Sequence, residues 1–433
     1  MLFERPKSGE RAVLVHIEFS GHTEREDPGE FLLLVKSAGG EPMSFIRGQR
    51  HGPKAGTFVG SGKLEEIRQA VVEHEAEVVL FNHSLSPSQE RNIEAALQCR
   101  VLDRTGLILD IFAQRARTHE GKLQVELAQL EHMSTRLVRG WTHLERQKGG
   151  IGLRGPGETQ LESDRRLLRA RIKAIQARLG KVRKQRDQSR RARRRAEIPT
   201  LSFVGYTNAG KSTLFNSLTQ SEVYAADQLF ATLDPTMRRL QLADVGPVVL
   251  ADTVGFIRHL PHKLIESFRA TLEEAVSSDL LVHVVDSADD ERDGHRQQVH
   301  AVLAEIGADQ LPMLEVYNKI DLSGQSPRID RDASGKPYRV WLSARRGQGL
   351  ELLAQALSEL LAGDVVEADV LLSPEKSRLR SRLFAQAGVQ AEAYSEEGAM
   401  LHIRMPRGEL LKLLAAEGEQ LENLQVQVPL AAQ

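Results

Sequence analysis

Short apolar runs alternate with helical patterns over the first quarter of the chain. The runs 12–17 and 77–81 have the length and the composition of buried strands, and helical stretches open at Gly62 and Pro87. Strands that alternate with helices are typical of βαβ units, which form parallel sheets. We therefore predict a small α/β domain over residues 1–117, with a largely parallel sheet.

The apolar period changes between residues 118 and 197. Two series of apolar residues recur there at spacings of three, four or seven: Leu123, Leu127, Leu130, Leu137, Trp141 and Leu144, and then Leu161, Leu168, Ile172, Ile175, Leu179 and Val182. These spacings predict two long, heptad-like helices, and the capping-box pattern Thr159-x-x-Glu162 predicts the start of the second. The glycine-rich segment 148–158 between them predicts an antiparallel hairpin with a tip loop. A helical bundle packed on the domain core fits the same period.

Strands and helices alternate again over residues 198–363, and this alternation predicts a second, larger α/β domain. The last segment, 364–433, combines helical patterns at 376–385 and 409–417 with strand-like runs. It predicts a small α+β domain, in which we find no candidate chemical site.

The second α/β domain opens with a phosphate-binding loop. Residues 201–213 read LSFVGYTNAGKST, which is an apolar strand, the pattern Gly205-x-x-x-x-Gly210-Lys211-Ser212, and a helical run. A glycine-rich turn in this setting lets backbone N–H groups surround phosphate oxygens. The lysine supplies positive charge for the β and γ phosphates, and the serine hydroxyl is placed for Mg²⁺.

Three further motifs follow in order, each at the end of a predicted strand. In 252–255, DTVG, the carboxylate can reach Mg²⁺ through a water, and the Gly255 N–H can face the γ phosphate. In 318–321, NKID, the Asp321 carboxylate can accept both the N1–H and the exocyclic amine of guanine, whereas adenine presents an acceptor at N1. The pair 343–344, SA, supports the base. Together the motifs predict a GTP-binding P-loop domain.

Thr232 and Thr236 both have the spacing of the first-switch threonine that completes Mg²⁺ coordination. The surrounding run QLFATLDPT and the later run DTVGFIRHLP resemble the HflX branch of the Obg–HflX translation-factor GTPases, and GGIGLRGPGE resembles the hairpin tip of that family. The resemblance, which extends to about residue 363, selects Thr232.

The motifs and the resemblance together give a set of predicted site residues. Catalytic contributions are expected from Lys211, Thr232 and Gly255, and Mg²⁺ is expected at Ser212 and Thr232, with Asp252 through a water. A potassium ion beside Asn208 is a further candidate cofactor. The alternative role for this side chain is that of an amide that caps the loop. The predicted GTP contacts are Gly205, Tyr206, Thr207, Asn208, Ala209, Gly210, Lys211, Ser212, Thr213, Phe230, Ala231, Thr232, Leu233, Asp234, Asp252, Thr253, Val254, Gly255, Asn318, Lys319, Ile320, Asp321, Ser343, Ala344 and Arg345.

Phe256 follows Gly255 at the place where many GTPases carry a glutamine that orients the attacking water. An apolar ring cannot do this, whether it acts at the site or lies in the core. Basal turnover is therefore expected to be slow.

Charge is strongly uneven along the chain. The whole chain has 58 lysines and arginines and 59 acids, but residues 165–195 contain 15 of the basic residues and one acid, Asp187. Such a segment on an otherwise acidic protein favours contact with a polyanion. Predicted RNA contacts are Lys148, Arg154, Arg190, Arg191, Arg193, Arg194 and Arg195. A flexible linker and a solvated helix face are the alternative interpretations.

Several classes of protein are disfavoured. No apolar run approaches the ~20 residues that span a bilayer, and the start of the chain has no apolar signal region. The single cysteine, Cys99, excludes an intramolecular disulfide, and no His/Cys cluster predicts zinc. We expect a cytoplasmic monomer without membrane insertion.

The sequence thus predicts a GTPase with an RNA-binding arm. The resemblance implies that its partners are GTP, GDP and the large ribosomal subunit with its RNA, and that it splits or rescues stalled or idle ribosomes. An alternative is a GTP-dependent RNA-binding factor in ribosome assembly or tRNA metabolism. A switch docked on a membrane is less favoured, because 161–196 contains no Trp, Tyr or Phe.

Overall fold

The computed structural model describes most of the chain, in segments. These are residues 10–20, 27–140, 156–195, 198–219, 229–243, 245–258, 272, 274–361, 365–385, 388–395, 398–406, 410, 413–414, 417 and 425–427. For 137–140, 156–164, 192–195, 365–367, 404–406 and 425–427 the description covers the backbone alone.

The N-terminal domain is a four-stranded parallel sheet with the order β2-β1-β3-β4. Its strands are β1 (Arg11–Phe19), β2 (Glu41–Arg50), β3 (Val78–Phe81) and β4 (Arg100–Asp103). Its helices are α1 (Pro28–Ser37), α2 (Ser61–Glu73), α3 (Pro87–Leu97) and α4 (Arg104–Arg115). The predicted parallel α/β fold is confirmed, and β1 and β3 are the two runs that the sequence marked as buried strands.

Two long helices follow, α5 (His119–Gly140) and α6 (Pro156–Arg195). Leu123, Leu127 and Leu130 of α5 pack against Ile175 and Leu179 of α6, so the predicted period does form the seam of a hairpin. The start of α6 was predicted wrongly. The helix begins at a proline, which favours the first helical position, so the predicted capping box of Thr159 lies inside the helix.

The GTPase domain is built on a seven-stranded sheet with the order β10-β11-β9-β8-β5-β7-β6. Its strands are β5 (Thr200–Val204), β6 (Thr236–Leu242), β7 (Gly246–Asp252), β8 (Leu280–Asp286), β9 (Met313–Asn318), β10 (Arg328–Arg331) and β11 (Pro337–Trp341). The edge strands β6 and β10 are antiparallel to their neighbours, and the other pairs are parallel. The helices are α7 (Lys211–Thr219), α8 (Arg292–Glu305), α9 (Ile320–Ser323) and α10 (Leu350–Leu361).

The N-terminal and GTPase domains share one hydrophobic core. A single buried cluster joins Phe31 of α1 and Phe112 of α4 to Phe230, Phe256 and Leu281 of the GTPase domain. The loops at the carboxyl end of the larger sheet are therefore held against the smaller domain.

His283 is a buried polar residue on β8. It is 1% exposed, and its Nδ1 has no hydrogen-bond partner among the described residues. Burial, together with nearby His300, Arg296 and Lys211, lowers the pKa of His283 from 6.5 to about 3. Glu315 pairs with His283 across the strands, but its carboxylate already binds Arg296. The imidazole is therefore neutral in the folded protein.

We expect stability to fall as the pH drops from 6.5 toward 5. The unfolded chain takes up a proton on His283 over this range and the folded chain does not, so the unfolded state gains about 2 kcal/mol at pH 5. The measurement is denaturant unfolding of the wild type and of His283→Leu at pH 5 and pH 7.5. The variant should lose this part of the pH dependence. Equal slopes for the two proteins would contradict the assignment.

The C-terminal segment forms a small antiparallel sheet with the order β13-β14-β12-β15. The strands are β12 (Val365–Leu372), β13 (Val389–Ser395), β14 (Gly398–Pro406) and β15 (Gln425–Gln427), and α11 (Ser377–Ala385) packs on them through Leu379 and Leu383. The predicted α+β character is confirmed. Within the described residues, no helix has the length and apolarity that a membrane span needs.

Candidate nucleotide-binding site

The phosphate loop turns sharply between β5 and α7. Gly205 has φ 148° and Gly210 has φ 92°, a region of backbone conformation that side chains disfavour. A Cβ at Gly205 would also collide with the Val284 carbonyl oxygen, and one at Gly210 with the Asn318 side-chain amide. Only glycine fits these two positions, which explains why the motif has glycine at both.

Lys211 lies under this loop with its side chain buried. Its Nζ donates to the carbonyl oxygens of Gly205, at 3.1 Å, and Tyr206, at 2.7 Å. Burial lowers the pKa of Lys211 to about 8, and the nearby Asp252 carboxylate opposes this shift. A Cβ at Gly255 would be 3.0 Å from the Nζ, so the second-switch glycine allows the close approach.

The two predicted Mg²⁺ ligands, Ser212 and Thr232, converge on Asp252 beside the lysine. The Oδ2 of Asp252 accepts from Ser212 Oγ at 2.8 Å and from Thr232 Oγ1 at 2.8 Å, and the two hydroxyl oxygens are 2.7 Å apart. Asp252 is fully buried, and burial raises the pKa of its carboxyl. Its Oδ1 has no hydrogen-bond partner among the described residues. Two hydroxyls and a carboxylate with an unused buried oxygen are a donor set that fits Mg²⁺.

The structure separates the two candidate threonines. Thr232 is 9% exposed and reaches both Ser212 and Asp252. Thr236 is the first residue of β6, where its backbone is in register with Asp252 across the sheet. The geometry therefore favours Thr232 as the switch threonine.

The base-recognition motif is tied to the phosphate loop. Asn318 Nδ2 donates to the Ala209 carbonyl at 2.9 Å, and its Oδ1 accepts from the Ala344 N–H at 2.9 Å. Ser343 Oγ donates to Asp321 Oδ1 at 2.7 Å, which orients the carboxylate. The motifs 318–321 and 343–344 thus form one hydrogen-bonded unit.

Eleven of the predicted contacts line one cavity at the phosphate loop. It is bounded by Thr207, Asn208, Gly210, Lys211, Ser212, Thr213, Phe230, Ala231, Thr232, Thr253 and Gly255. Not every predicted residue directs its side chain into this cavity. The side chains of Phe230, Leu233 and Val254 lie in the hydrophobic core, because the loops that carry them pack on the N-terminal domain.

Tyr206 also turns away from the cavity. Its hydroxyl donates to Glu30 Oε2 at 2.7 Å and accepts from the Arg258 N–H at 2.9 Å. Arg104 forms a buried ion pair with the same Glu30 and donates to the Arg258 carbonyl at 3.2 Å. This network links the phosphate loop and the start of the second switch to the N-terminal domain. The sequence carries no local sign of this network, because Glu30 and Arg104 lie far from every motif.

The predicted RNA contacts need a correction at Arg190. Its guanidinium lies 2.9 Å from the buried Glu274 carboxylate and 3.4 Å from Asp187, so it attaches α6 to the GTPase domain. Arg191 is exposed. Lys148 and Arg154 lie outside the described residues, as do the side chains of Arg193, Arg194 and Arg195.

The fold and the nucleotide site define a P-loop GTPase. Three family descriptions match successive parts of the chain: a GTP-binding GTPase N-terminal region at 25–113, a GTP-binding GTPase middle region at 115–193, and a 50S ribosome-binding GTPase at 200–319. The GTPase HflX of Escherichia coli (strain K12) is 60% identical over 407 residues, which is 94% of this chain and 96% of that protein. The GTPase HflX of Magnetococcus marinus is 45% identical over 373 residues, 86% of this chain and 85% of its own. The chain belongs to the HflX family of GTPases.

Among solved structures, the chain is similar to a GTP-binding protein from the archaeon Sulfolobus solfataricus in complex with GDP. It is 26% identical, covers 81% of this chain and 98% of its own, and has a TM-score of 0.44.

Proposed function

We propose that this GTPase is a ribosome-binding switch that splits or rescues stalled or idle ribosomes, and that its cationic hairpin engages RNA of the large subunit. One observation carries the proposal. The segment that brings Thr232 to Ser212 and Asp252 also reaches the start of the hairpin. Its Phe230 and Leu233 side chains share a buried cluster with Val125 of α5, and Asp234 accepts from the Thr118 hydroxyl directly before α5. A change of state at the phosphates can therefore be passed to the arm.

The residues of the site divide the work of hydrolysis. Lys211 would place its charge on the β and γ phosphates, and Ser212 and Thr232 would hold Mg²⁺, with Asp252 behind them. The ion would neutralise the charge that develops on the phosphate oxygens. The Gly255 N–H would donate to the γ phosphate, and the Asp321 carboxylate would read guanine.

The site lacks a side chain that could orient water at position 256. The Phe256 ring is 2% exposed and lies in the core, while its backbone bonds Gly205 and Thr207. Slow basal turnover follows, and the missing contribution must come from the ribosome or from an ion. Asn208, which is exposed and has φ 61°, is the residue we propose for a potassium ion.

The outer face of α6 suits a phosphate backbone. Among the side chains of α6 that the structure describes, eight basic ones are exposed: Arg166, Arg169, Arg171, Lys173, Arg178, Lys181, Lys184 and Arg191. Arg171 is paired with Glu126 of α5 at 2.6 Å, which leaves the others as the better candidates for RNA. Such contacts release counterions, so binding should depend steeply on salt.

Sucrose-gradient co-sedimentation with ribosomes tests this proposal. With a non-hydrolysable GTP analogue, we expect the wild type to bind large subunits and to convert 70S particles to subunits. Replacing Arg166, Arg169 and Lys173 with glutamine should lower the log–log salt slope by about 0.7–0.9 for each lost contact. The matched control replaces Arg238 and Arg239, which are exposed on β6 of the GTPase domain.

The outcomes separate the candidate functions. An unchanged salt slope in the α6 variant would mean that these residues only solvate the helix. Binding to immature subunits or tRNA, without binding to finished ribosomes, would favour the assembly or tRNA factor instead.

A further inference from the structure

The first-switch segment, 229–234, is anchored on both sides of Thr232. Before it, the Leu229 N–H donates to Ser37 Oγ at 3.0 Å, and the Phe230 ring meets Phe112 of α4 edge to face at 4.7 Å. After it, the Leu233 side chain is 3% exposed in the same core. The segment therefore rests on the N-terminal domain where the hairpin begins.

Asp234 extends this anchor to the first turn of α5. Its Oδ2 accepts from the N–H groups of Arg117, at 2.9 Å, and Thr118, at 2.8 Å. Its Oδ1 accepts from Thr118 Oγ1 at 2.6 Å, and that hydroxyl oxygen accepts from the Gly121 N–H at 2.9 Å. Thr118 is thus the N-cap of α5, and Asp234 holds the cap in place. A carboxylate at a helix N-terminus is also favoured by the helix dipole.

Gly121 supplies an independent sign of this arrangement. A Cβ at this position would collide with the Asp234 carboxylate, although nothing in the helical backbone there requires glycine. Glycine in a helix costs stability relative to alanine. The absence of a side chain at 121 is what leaves room for Asp234.

We propose that Asp234 is a positioning residue for GTP hydrolysis, which couples the placement of Thr232 to the N-terminus of α5. A single residue, Leu233, separates Asp234 from Thr232, and its side chain is held in the core, so the two positions cannot move far independently. The coupling is reciprocal: GTP and Mg²⁺, which favour the closed switch, stabilise the cap of α5, and a partner that shifts the hairpin moves Thr232. This inference rests on the proposed magnesium role of Thr232, but it does not require a ribosome.

The test uses the full-length protein and two routes to the same loss. Asp234→Ala removes the carboxylate, and Gly121→Ala displaces it while improving the helix propensity of α5. The matched control is Ser86→Ala. It removes the N-cap side chain of α3, another helix of the N-terminal domain, whose cap does not involve Asp234. Two quantities are measured: kcat for basal GTP hydrolysis together with GDP affinity, and hydrogen exchange of the amides at 117–122 with GDP and with a non-hydrolysable GTP analogue and Mg²⁺.

In the wild type, the amides at 117–122 should exchange more slowly with the GTP analogue than with GDP. In Asp234→Ala and Gly121→Ala this difference should disappear and kcat should fall about fivefold, the equivalent of one helix cap, while GDP affinity stays unchanged. Ser86→Ala should lower the melting temperature and change neither readout. A merely structural Asp234 would behave like Ser86 in both assays, and that result would overturn the inference.

Thr232→Ala separates this failure from a failure of the proposed function. If Thr232→Ala leaves Mg²⁺-dependent hydrolysis intact, the magnesium assignment is wrong. If Thr232→Ala abolishes hydrolysis while Asp234→Ala and Gly121→Ala match the wild type in kcat and exchange, the assignment stands and the coupling through Asp234 is refuted.

Discussion

Asp321→Asn is expected to remove the preference of this GTPase for guanine. The carboxylate of Asp321 can accept two hydrogen bonds side by side, and Ser343 Oγ, 2.7 Å from its Oδ1, fixes its orientation. An amide keeps one acceptor and places an N–H group against the exocyclic amine of guanine. Losing one charge-assisted bond and leaving a buried donor unpaired is expected to weaken GTP binding about a hundredfold.

Competition by other nucleotides measures this change directly. The same amide complements a purine that carries an oxygen at position 2, so xanthosine triphosphate should gain affinity as GTP loses it. The matched control is Asp332→Asn, an exposed carboxylate in a turn of the same domain, and it should leave the preference intact. If ATP already competes equally with GTP in the wild type, Asp321 does not read the base.

The features of the fold that the sequence predicts are those set by immediate neighbours along the chain. Gly205 and Gly210 need a backbone conformation that only the local turn determines. Asn318 is the last residue of β9, and Ser343 lies in the loop that follows β11. Loops at the carboxyl ends of parallel strands meet at one edge of the sheet. The packing of Leu123, Leu127 and Leu130 against α6 follows from helical periodicity alone.

The residues that were missed or misplaced act over long sequence distances. Asp234 stands in a recognisable switch motif, but its carboxylate binds Thr118, 116 residues away. Glu30 is 176 residues from Tyr206, and Arg190 is 84 residues from Glu274. No local pattern predicts such pairs, because the sequence around an acid or an arginine does not show which distant residue it will contact in the folded protein. Charge alone therefore suggested an RNA contact for Arg190, whereas in the structure Arg190 forms an ion pair with Glu274.

The placement of the Phe256 ring, an apolar side chain, could not be predicted from the sequence either. Its position after Gly255 excluded a water-orienting role on chemical grounds, but the sequence left open whether the ring faced the nucleotide. The shared core of the two domains decides this, since Phe256 and Phe31 belong to one buried cluster that only the tertiary structure assembles.

Asp252→Ala is expected to lower kcat for GTP hydrolysis about a hundredfold to a thousandfold, the usual effect of losing one preorganised electrostatic group in an active site. The variant removes the acceptor that holds both Ser212 Oγ and Thr232 Oγ1. Hydroxyls without that acceptor can rotate away from the metal position, so the Mg²⁺ dependence of turnover should flatten as well. GDP affinity should change less, because Lys211 and the phosphate loop remain.

The burial of Asp252 makes a folding control necessary. Ser202→Ala is the matched variant, since Ser202 is also fully buried, lies on the adjacent strand β5, and donates to the Glu274 carbonyl at 3.2 Å. Melting temperature and GDP binding are measured for both variants, together with kcat across a Mg²⁺ titration. If both proteins are folded and only Asp252→Ala loses turnover, the effect is assigned to the proposed Mg²⁺ site. Near-normal, Mg²⁺-dependent turnover in folded Asp252→Ala would show that Ser212 and Thr232 organise the ion without the carboxylate, and the proposed division of roles would then be wrong.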